Sequence, residues 1–431
     1  MTSVKKILWT ANIPLPAVAE QLGLPASPFG GWLTLMTRGL AKDQRFKIAI
    51  AMRCPISDFQ VIEKDNITYY AMPQLRADQY DVEQSVCDRV LNHFKPDILH
   101  CEGAEMRYTR RFLETWQGER LLSMQGVING YTQYELGRLP LLDMLNPFHP
   151  KVALTAVALI VNKLWRFNSR LNHERAAMQC ATHLMGRTEW DQAQAFAINP
   201  AASYHSCSRI LRDTFYQTQW QLEQAKRFTL FVGNAGSPRK GVHVLLQAVA
   251  QLKQHFPAIR VRIAGENPHT KASAVKRMIG YGSYINHLIH TLKLDENVEF
   301  LGVLQEQDMA KQLASSHVYV MSSIIENSPN TLGEAMIMGV PCVTAFAGGT
   351  PTMATDEQEA LFYRADDPAM LALKLKRIFE SDELACRLSQ HARKKAMHTH
   401  NPERNVKALV DTYLLITGFA EQTTTADQQE M

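Results

Sequence analysis

Two glutamates, Glu326 and Glu334, stand eight residues apart in ENSPNTLGEAMIMGVPCV (326–343), one before a Ser-Pro-Asn turn and one inside a helical run. Ser328, Pro329 and Asn330 predict a turn feeding a helix over TLGEAMIMG, stopped at Gly339 with Pro341 behind it. A helix start exposes unpaired N–H groups, here expected from Thr331 and Leu332, and the positive end of the helix dipole; together these suit a phosphate. Glu334 lies about one turn inside, where a carboxylate can accept two hydrogen bonds from the vicinal hydroxyls of a ribose. Glu326, on the strand side of the turn, faces whatever hangs beyond the phosphates. The arrangement fits a molecule with hydroxyls at both ends and phosphate in the middle, as a nucleotide-sugar has. The spacing alone carries little, because two glutamates recur at any fixed distance by chance.

A second cluster, GNAGSPRKGVHVLLQA, starts at Gly233 and follows the apolar run LFV. Three glycines and the pair Arg239–Lys240 before a helix resemble a phosphate cradle; a flexible turn carrying solvated cations is the plain alternative.

These clusters need elements to hold them. Short β-type runs recur at 7–9 (ILW), 46–52, 97–100 and 121–124, and again at 228–233, 259–265, 298–302, 318–321 and 342–346. Helical patterns follow them, most plainly at 242–256 and 308–316, where apolar residues fall at three- and four-residue spacing. The alternation predicts an α/β fold of two doubly wound, Rossmann-like parallel sheets. In such sheets ligands bind beyond the carboxyl ends of the strands, which is where the clusters fall. The expected domains are 1–215, 216–400, and a last segment, 401–431, made of a helix that crosses back to the first domain and a polar tail.

Composition narrows the class. The 431 residues are 46% hydrophobic and 20% charged, which excludes disordered and collagenous chains. A formal charge of +4 is too weak to argue for nucleic acid. Seven scattered cysteines without a C-x-x-C pair suggest neither a disulfide framework nor a zinc site, and the amino terminus lacks a signal-peptide core, so a cytoplasmic location is expected. His398 and His400 have metal-like spacing but no visible third ligand, so no metal is expected.

With Glu326, Pro329, Asn330, Glu334, Ala335, Met336, Gly339 and Pro341, followed by AFAGGTP at 345–351, the segment resembles that of the retaining GT-B glycosyltransferases of family 4, of the bacterial polysaccharide-building type. The resemblance implies a GT-B fold, two Rossmann-like domains facing across a cleft, and transfer of a sugar from a nucleotide-sugar donor to a saccharide or lipid-linked saccharide acceptor, with no cofactor. It implies that Glu326 contacts the donor sugar, that Ser328, Pro329, Asn330, Thr331 and Leu332 surround the diphosphate, and that Glu334 holds the ribose. Lys240 matches the family's cation at the leaving diphosphate, while the family's arginine position is Asn234; Arg239 stands beside the lysine as the replacement charge. Gly265 and Glu266 resemble the strand-end loop near the nucleotide, and Val303 the place where backbone meets the base, though plain turn chemistry would also account for both.

In the amino-terminal half, Gly30 and Gly31 of SPFGGWL (27–33) resemble the glycine loop that approaches the donor phosphates. DILHCEGAE (97–105), LLSMQGVINGY (121–131), GRTEWDQA (186–193) and SRILRDTFY (208–216) resemble segments of the bacterial subgroup, placing Glu105 and Gln125 on the acceptor side. Gln125 stands where many relatives have a histidine, so that contact is neutral here. His100, on a buried apolar strand, reads as a structural histidine.

Between Lys151 and Arg175 five cations face one anion, Glu174. As a helix, Ile160, Leu164, Phe167 and Leu171 form one stripe beside Lys163, Arg166 and Arg170, a pattern suited to an anionic membrane surface at the inner face of the plasma membrane, or equally to packing in a core. The apolar run at 152–161 is too short to span a bilayer. A non-catalytic nucleotide-sugar scaffold or sensor, or another GT-B enzyme such as a nucleotide-sugar epimerase, is the alternative reading.

Overall fold

The structure is a computed structural model and describes residues 4–25, 30–76, 78, 80–145, 150–265, 267 and 280–418. The apolar runs become strands. In the first sheet lie β1 (Lys5–Ala11), β2 (Phe46–Cys54), β3 (Gln60–Lys64), β4 (Ile67–Pro73), β5 (Ile98–Glu102), β6 (Glu119–Ser123), β7 (His183–Gly186) and β8 (Ser203–Ser206). Their order is β3-β4-β2-β1-β5-β6-β7-β8, parallel throughout except for the β3–β4 hairpin. The second sheet contains β9 (Lys226–Val232), β10 (Arg260–Ile263), β11 (Val298–Phe300), β12 (Ser316–Met321), β13 (Cys342–Phe346) and β14 (Leu361–Arg364). It runs β11-β10-β9-β12-β13-β14, every pair parallel. The chain is therefore two doubly wound Rossmann-like units, as expected.

The order reverses between β1 and β5 in one sheet and between β9 and β12 in the other. At each reversal the flanking connections leave in opposite directions and open a crevice at the strands' carboxyl ends. Helices cover both faces of each sheet, so inner strands are apolar on both sides: Ile7, Leu8 and Trp9 of β1 and all six residues of β12 are buried.

One face of the first sheet packs on the helices Gly31–Leu40 and Pro402–Ile416, the other on Gln84–Phe94, Arg107–Thr115 and Asn168–Cys180. The two helices of the first face cross closely at Gly39, where a Cβ would lie 2.5 Å from Val406 Cγ2. Leu409 and Tyr413 of the last helix thereby enter the first domain's core. The reverse exchange also occurs. Leu139, Met144 and Ala156, from the stretch between β6 and β7, are buried in the second domain's core, and Thr155 Oγ1 accepts the Gly280 N–H at 3.0 Å.

The basic segment forms the helix Pro150–Asn162, a π-helical turn Lys163–Phe167, and the helix Asn168–Cys180. The stripe expected to meet a membrane is in part a packing stripe: Phe167 is buried and Ile160 and Leu171 are half-buried, and only Leu164 is exposed. A different apolar row faces outward, made of Leu154, Val157, Val161, Leu164 and Trp165, the last 78% exposed. No helix among the described residues is long and apolar enough to cross a membrane.

Candidate active site

The connection after β9 is tightened by a single 3₁₀ turn, Pro238–Lys240, ended by Gly241 at φ +63°. Only glycine fits there, since a Cβ would stand 1.9 Å from the Ser322 carbonyl oxygen. Two further bonds lash this loop to the end of β12: Ile324 N–H donates to Arg239 O (2.7 Å) and Ser322 Oγ to Lys240 O (2.8 Å). The loop thus delivers Lys240 to Glu326. Lys240 Nζ pairs with Glu326 Oε1, and Ser323 Oγ donates to the same oxygen at 2.9 Å.

The helix in the opening segment runs Asn330–Met338, with Pro329 at its N-cap and Gly339 closing it at φ +78°. Leu332 does not offer a free amide: its N–H donates to Pro329 O at 3.1 Å, and Gly333 N–H reaches the same carbonyl at 3.3 Å. That tight first turn leaves the N–H groups of Asn330 and Thr331 without a backbone partner among the described residues. Thr331 is oriented by its side chain, whose Oγ1 accepts from Tyr319 OH at 2.9 Å.

Glu334 is 3% exposed. Its Oε1 accepts from Arg212 Nε (3.1 Å) and Nη2 (2.8 Å), while Oε2 is buried without a partner. Burial pushes the carboxyl up to about 7, against the pull of Arg212 and with a smaller push from Glu306.

These groups converge on one cleft between the domains. A cavity of about 430 Å³, within the range of small-molecule sites, is bordered by Gly30, Gly31 and Gln125 of the first domain and by Asn234, Gly265, Val303, Asn330, Thr331 and Glu334 of the second. Gly265 is pinned at its rim by donating its N–H to Gly302 O at 2.7 Å. An adjoining cavity of about 290 Å³ shares Asn234, Asn330 and Thr331 and adds Lys240, Glu326, Ser328 and Pro329. The two run together, so the sequence clusters around 30, 125, 234–240 and 326–334 meet in space.

Three expectations need correction or restriction. Arg239 does not face the cleft; its Nε lies 2.7 Å from Glu135 Oε2 and its guanidinium rests over Tyr131, because the turn that aims Lys240 inward points its neighbour to the first domain. Glu105, whose Oε2 is buried and unpartnered, lies beside Gly103 and Asn12 and does not border either cavity. Glu266 is outside the described residues. Asn234 is a loop former: its Oδ1 accepts the Gly236 N–H at 2.7 Å.

Arg209, Arg212 and Glu102 were not singled out from the sequence. Both arginines lie in SRILRDTFY, where their spacing was the available sign; both border the 430 Å³ cavity. Glu102 ends β5, is 3% exposed with Oε2 unpartnered, and burial raises it to about 7 against the pull of Arg209 and Arg187. His100 is structural as expected: its ring nitrogens meet Tyr413 OH (2.5 Å) and Ser123 Oγ (2.6 Å), and burial lowers it to about 3, keeping it neutral. His400 is buried, with Nδ1 at 2.9 Å from Arg209 O.

Residues 213–395 match the family model described as glycosyl transferases group 1. The phosphatidyl-myo-inositol mannosyltransferase of Mycobacterium tuberculosis is 32% identical over 127 residues, 30% of this chain and 27% of that protein. This chain's matches to the first curated relatives span less than half of their length. Among solved structures, the sucrose-phosphate synthase of Thermosynechococcus elongatus superposes with a TM-score of 0.72 at 15% identity, covering 96% of this chain and 100% of that one. HepE of Anabaena, solved in complex with UDP, gives 0.63 at 15% identity, covering 95% and 99%. The fold is the GT-B arrangement of two Rossmann-like domains.

Proposed function

We propose, from the match of residues 213–395 to the glycosyl transferases group 1 family model, that the chain is a retaining glycosyltransferase that moves a hexose-type sugar from a nucleotide-sugar to a glycan or lipid-linked saccharide of a surface polysaccharide. One observation carries this reading. A single cleft presents, in sequence along its length, the unpartnered Oε2 of Glu334, the open amides of Asn330 and Thr331, and the Lys240–Glu326 pair. That order matches ribose hydroxyls, diphosphate and sugar hydroxyls. HepE's complex with UDP and the lipid acceptor in the mannosyltransferase's name support the donor and acceptor classes.

In this reading the bond between the anomeric carbon and the phosphate oxygen breaks while the acceptor hydroxyl attacks from the same face. The departing phosphate takes the acceptor's proton. Lys240 and the two amides stabilise the charge that develops on the leaving group, usually a large term in such sites. Glu326 holds the sugar ring in place. Gln125, neutral, hydrogen-bonds the sugar from the acceptor side, and no metal or other cofactor takes part. The outward row Leu154, Val157, Val161, Leu164 and Trp165, near Lys151 and Arg170, would rest on an anionic membrane surface and bring the cleft to a lipid-linked acceptor.

The test is incubation with UDP-, GDP- and ADP-sugars and candidate saccharide acceptors. Nucleoside diphosphate release that depends on an acceptor supports transfer. Binding without turnover across the panel supports the scaffold reading, which the missing arginine at Asn234 favours.

A further inference from the structure

Three cations border the cleft, and two of them are neutralised by a glutamate: Lys240 by Glu326 and Arg212 by Glu334. Arg209 is the exception. Its guanidinium lies 3.7 Å from the centre of the Trp32 ring and forms no ion pair among the described residues. It borders both the 430 Å³ cavity and the adjoining one that holds Lys240.

The backbone around Arg209 is fixed. Its carbonyl accepts from His400 Nδ1 at 2.9 Å and from Asn405 Nδ2 at 3.3 Å, both on the segment returning from the second domain. Trp32 follows Gly30 and Gly31 directly, so the aromatic plate is set by the connection after β1. Cation–aromatic stacking orients a guanidinium while leaving its N–H edge free to donate.

Partial burial and the like charge of Arg187 both disfavour the protonated Arg209, opposed by Glu102, Glu105 and Asp191. Arg187 offers no relief, since its Nη2 donates to the carbonyls of Met124 and Gln125 at 3.0 Å each. A half-buried cation so placed is costly until an anion joins it.

We infer that Arg209 is the second cation of the donor diphosphate site, reaching from the first domain to the phosphate that Lys240 and the Asn330 and Thr331 amides approach from the second, and replacing the charge that Asn234 lacks. The inference rests on the reading of the cleft as a nucleotide-sugar site. It makes the diphosphate a bridge between the domains, so phosphate binding and closure of the cleft are one event.

The experiment begins by titrating UDP, GDP and ADP into the full chain by calorimetry and carrying forward the tightest binder with its own nucleoside as control. Arg209→Gln is expected to weaken the diphosphate about tenfold or more, the scale of a lost charge-assisted contact, while the nucleoside binds as before. Arg209→Lys should lose less. Adding Asn234→Arg to Arg209→Gln should recover diphosphate binding, a rescue that a structural role for Arg209 would not produce. The inference is overturned if Arg209→Gln leaves diphosphate affinity unchanged, or if nucleoside and diphosphate weaken equally. If none of the three diphosphates binds the unaltered protein, the donor-site reading itself fails and this inference falls with it.

Discussion

The ammonium of Lys240 rests on the Glu326 oxygen that also takes the Ser323 hydroxyl. Both groups are assigned to a bound donor, and the contact between them competes with it. Binding is expected to exchange partners: a phosphate oxygen takes the place of the carboxylate at Lys240, and a sugar hydroxyl that of the ammonium at Glu326.

This exchange separates the two residues experimentally. Glu326→Gln frees Lys240, so nucleoside diphosphate should bind as tightly as before or several-fold tighter, while turnover falls by about a hundredfold for lack of sugar positioning. Lys240→Gln should weaken diphosphate binding and lower turnover together. Calorimetry alongside initial rates of diphosphate release distinguishes the patterns, and a Glu326→Gln enzyme with undiminished turnover would remove Glu326 from the sugar site.

Glu334 predicts a pH dependence. Its carboxyl, lifted by burial to about 7 despite Arg212, accepts two ribose hydroxyls only when ionised. Nucleoside affinity should rise with pH through about 7 and flatten in Glu334→Gln; a nucleoside is the right probe because it has no phosphate to titrate. The same shift acts on stability in the opposite sense. The folded chain holds this proton more tightly than the unfolded one, whose reference is 4.5, so the contribution is fully present below pH 4.5 and is lost as pH rises through about 7.

Arg239 and Glu135 join the domains away from the cleft. Arg239→Gln should lower the melting temperature by about one degree, in line with a half-buried pair plus its ring contact worth about 1 kcal/mol. Diphosphate affinity should stay within about twofold. A larger loss of affinity, measured by the same titration, would return Arg239 to the phosphate site.

The outward apolar row gives a membrane prediction. The chain should sediment with vesicles containing anionic lipid, less so with neutral ones, and Leu164→Glu with Trp165→Glu should abolish this without changing the melting temperature, since both side chains are exposed. Equal sedimentation of the double variant would leave the row without a lipid role.

The sheets were largely legible because their inner strands are buried on both faces and read as unbroken apolar runs. Strands without that property escaped notice. β8, SYHS, exposes its polar edge, and β7 has only four residues. The β3–β4 hairpin turns through Asp65 and Asn66, both at positive φ, without the glycine that usually marks such a turn. The site's glutamates, lysine and glycines were legible because spacing along one connection maps directly onto a loop and a helix start. Direction was not: adjacent residues Arg239 and Lys240 point to opposite partners, and nothing in their order says which. Arg209 was hidden for a related reason. Its importance comes from Trp32, Asn234 and Lys240, which are remote in sequence and meet only when the two sheets face each other.

Each sheet borrows a piece of the other's half. Leu139, Met144 and Ala156 fill the core under β9, and Tyr413, from the far end of the chain, closes on His100 beneath β5. The molecule is thus laced rather than strung. Severing the linker between β8 and β9 would leave each fragment with a hole that the other fills, so each should be more stable in the other's company, and any hinge that opens the cleft must flex within this lacing instead of swinging two independent bodies apart.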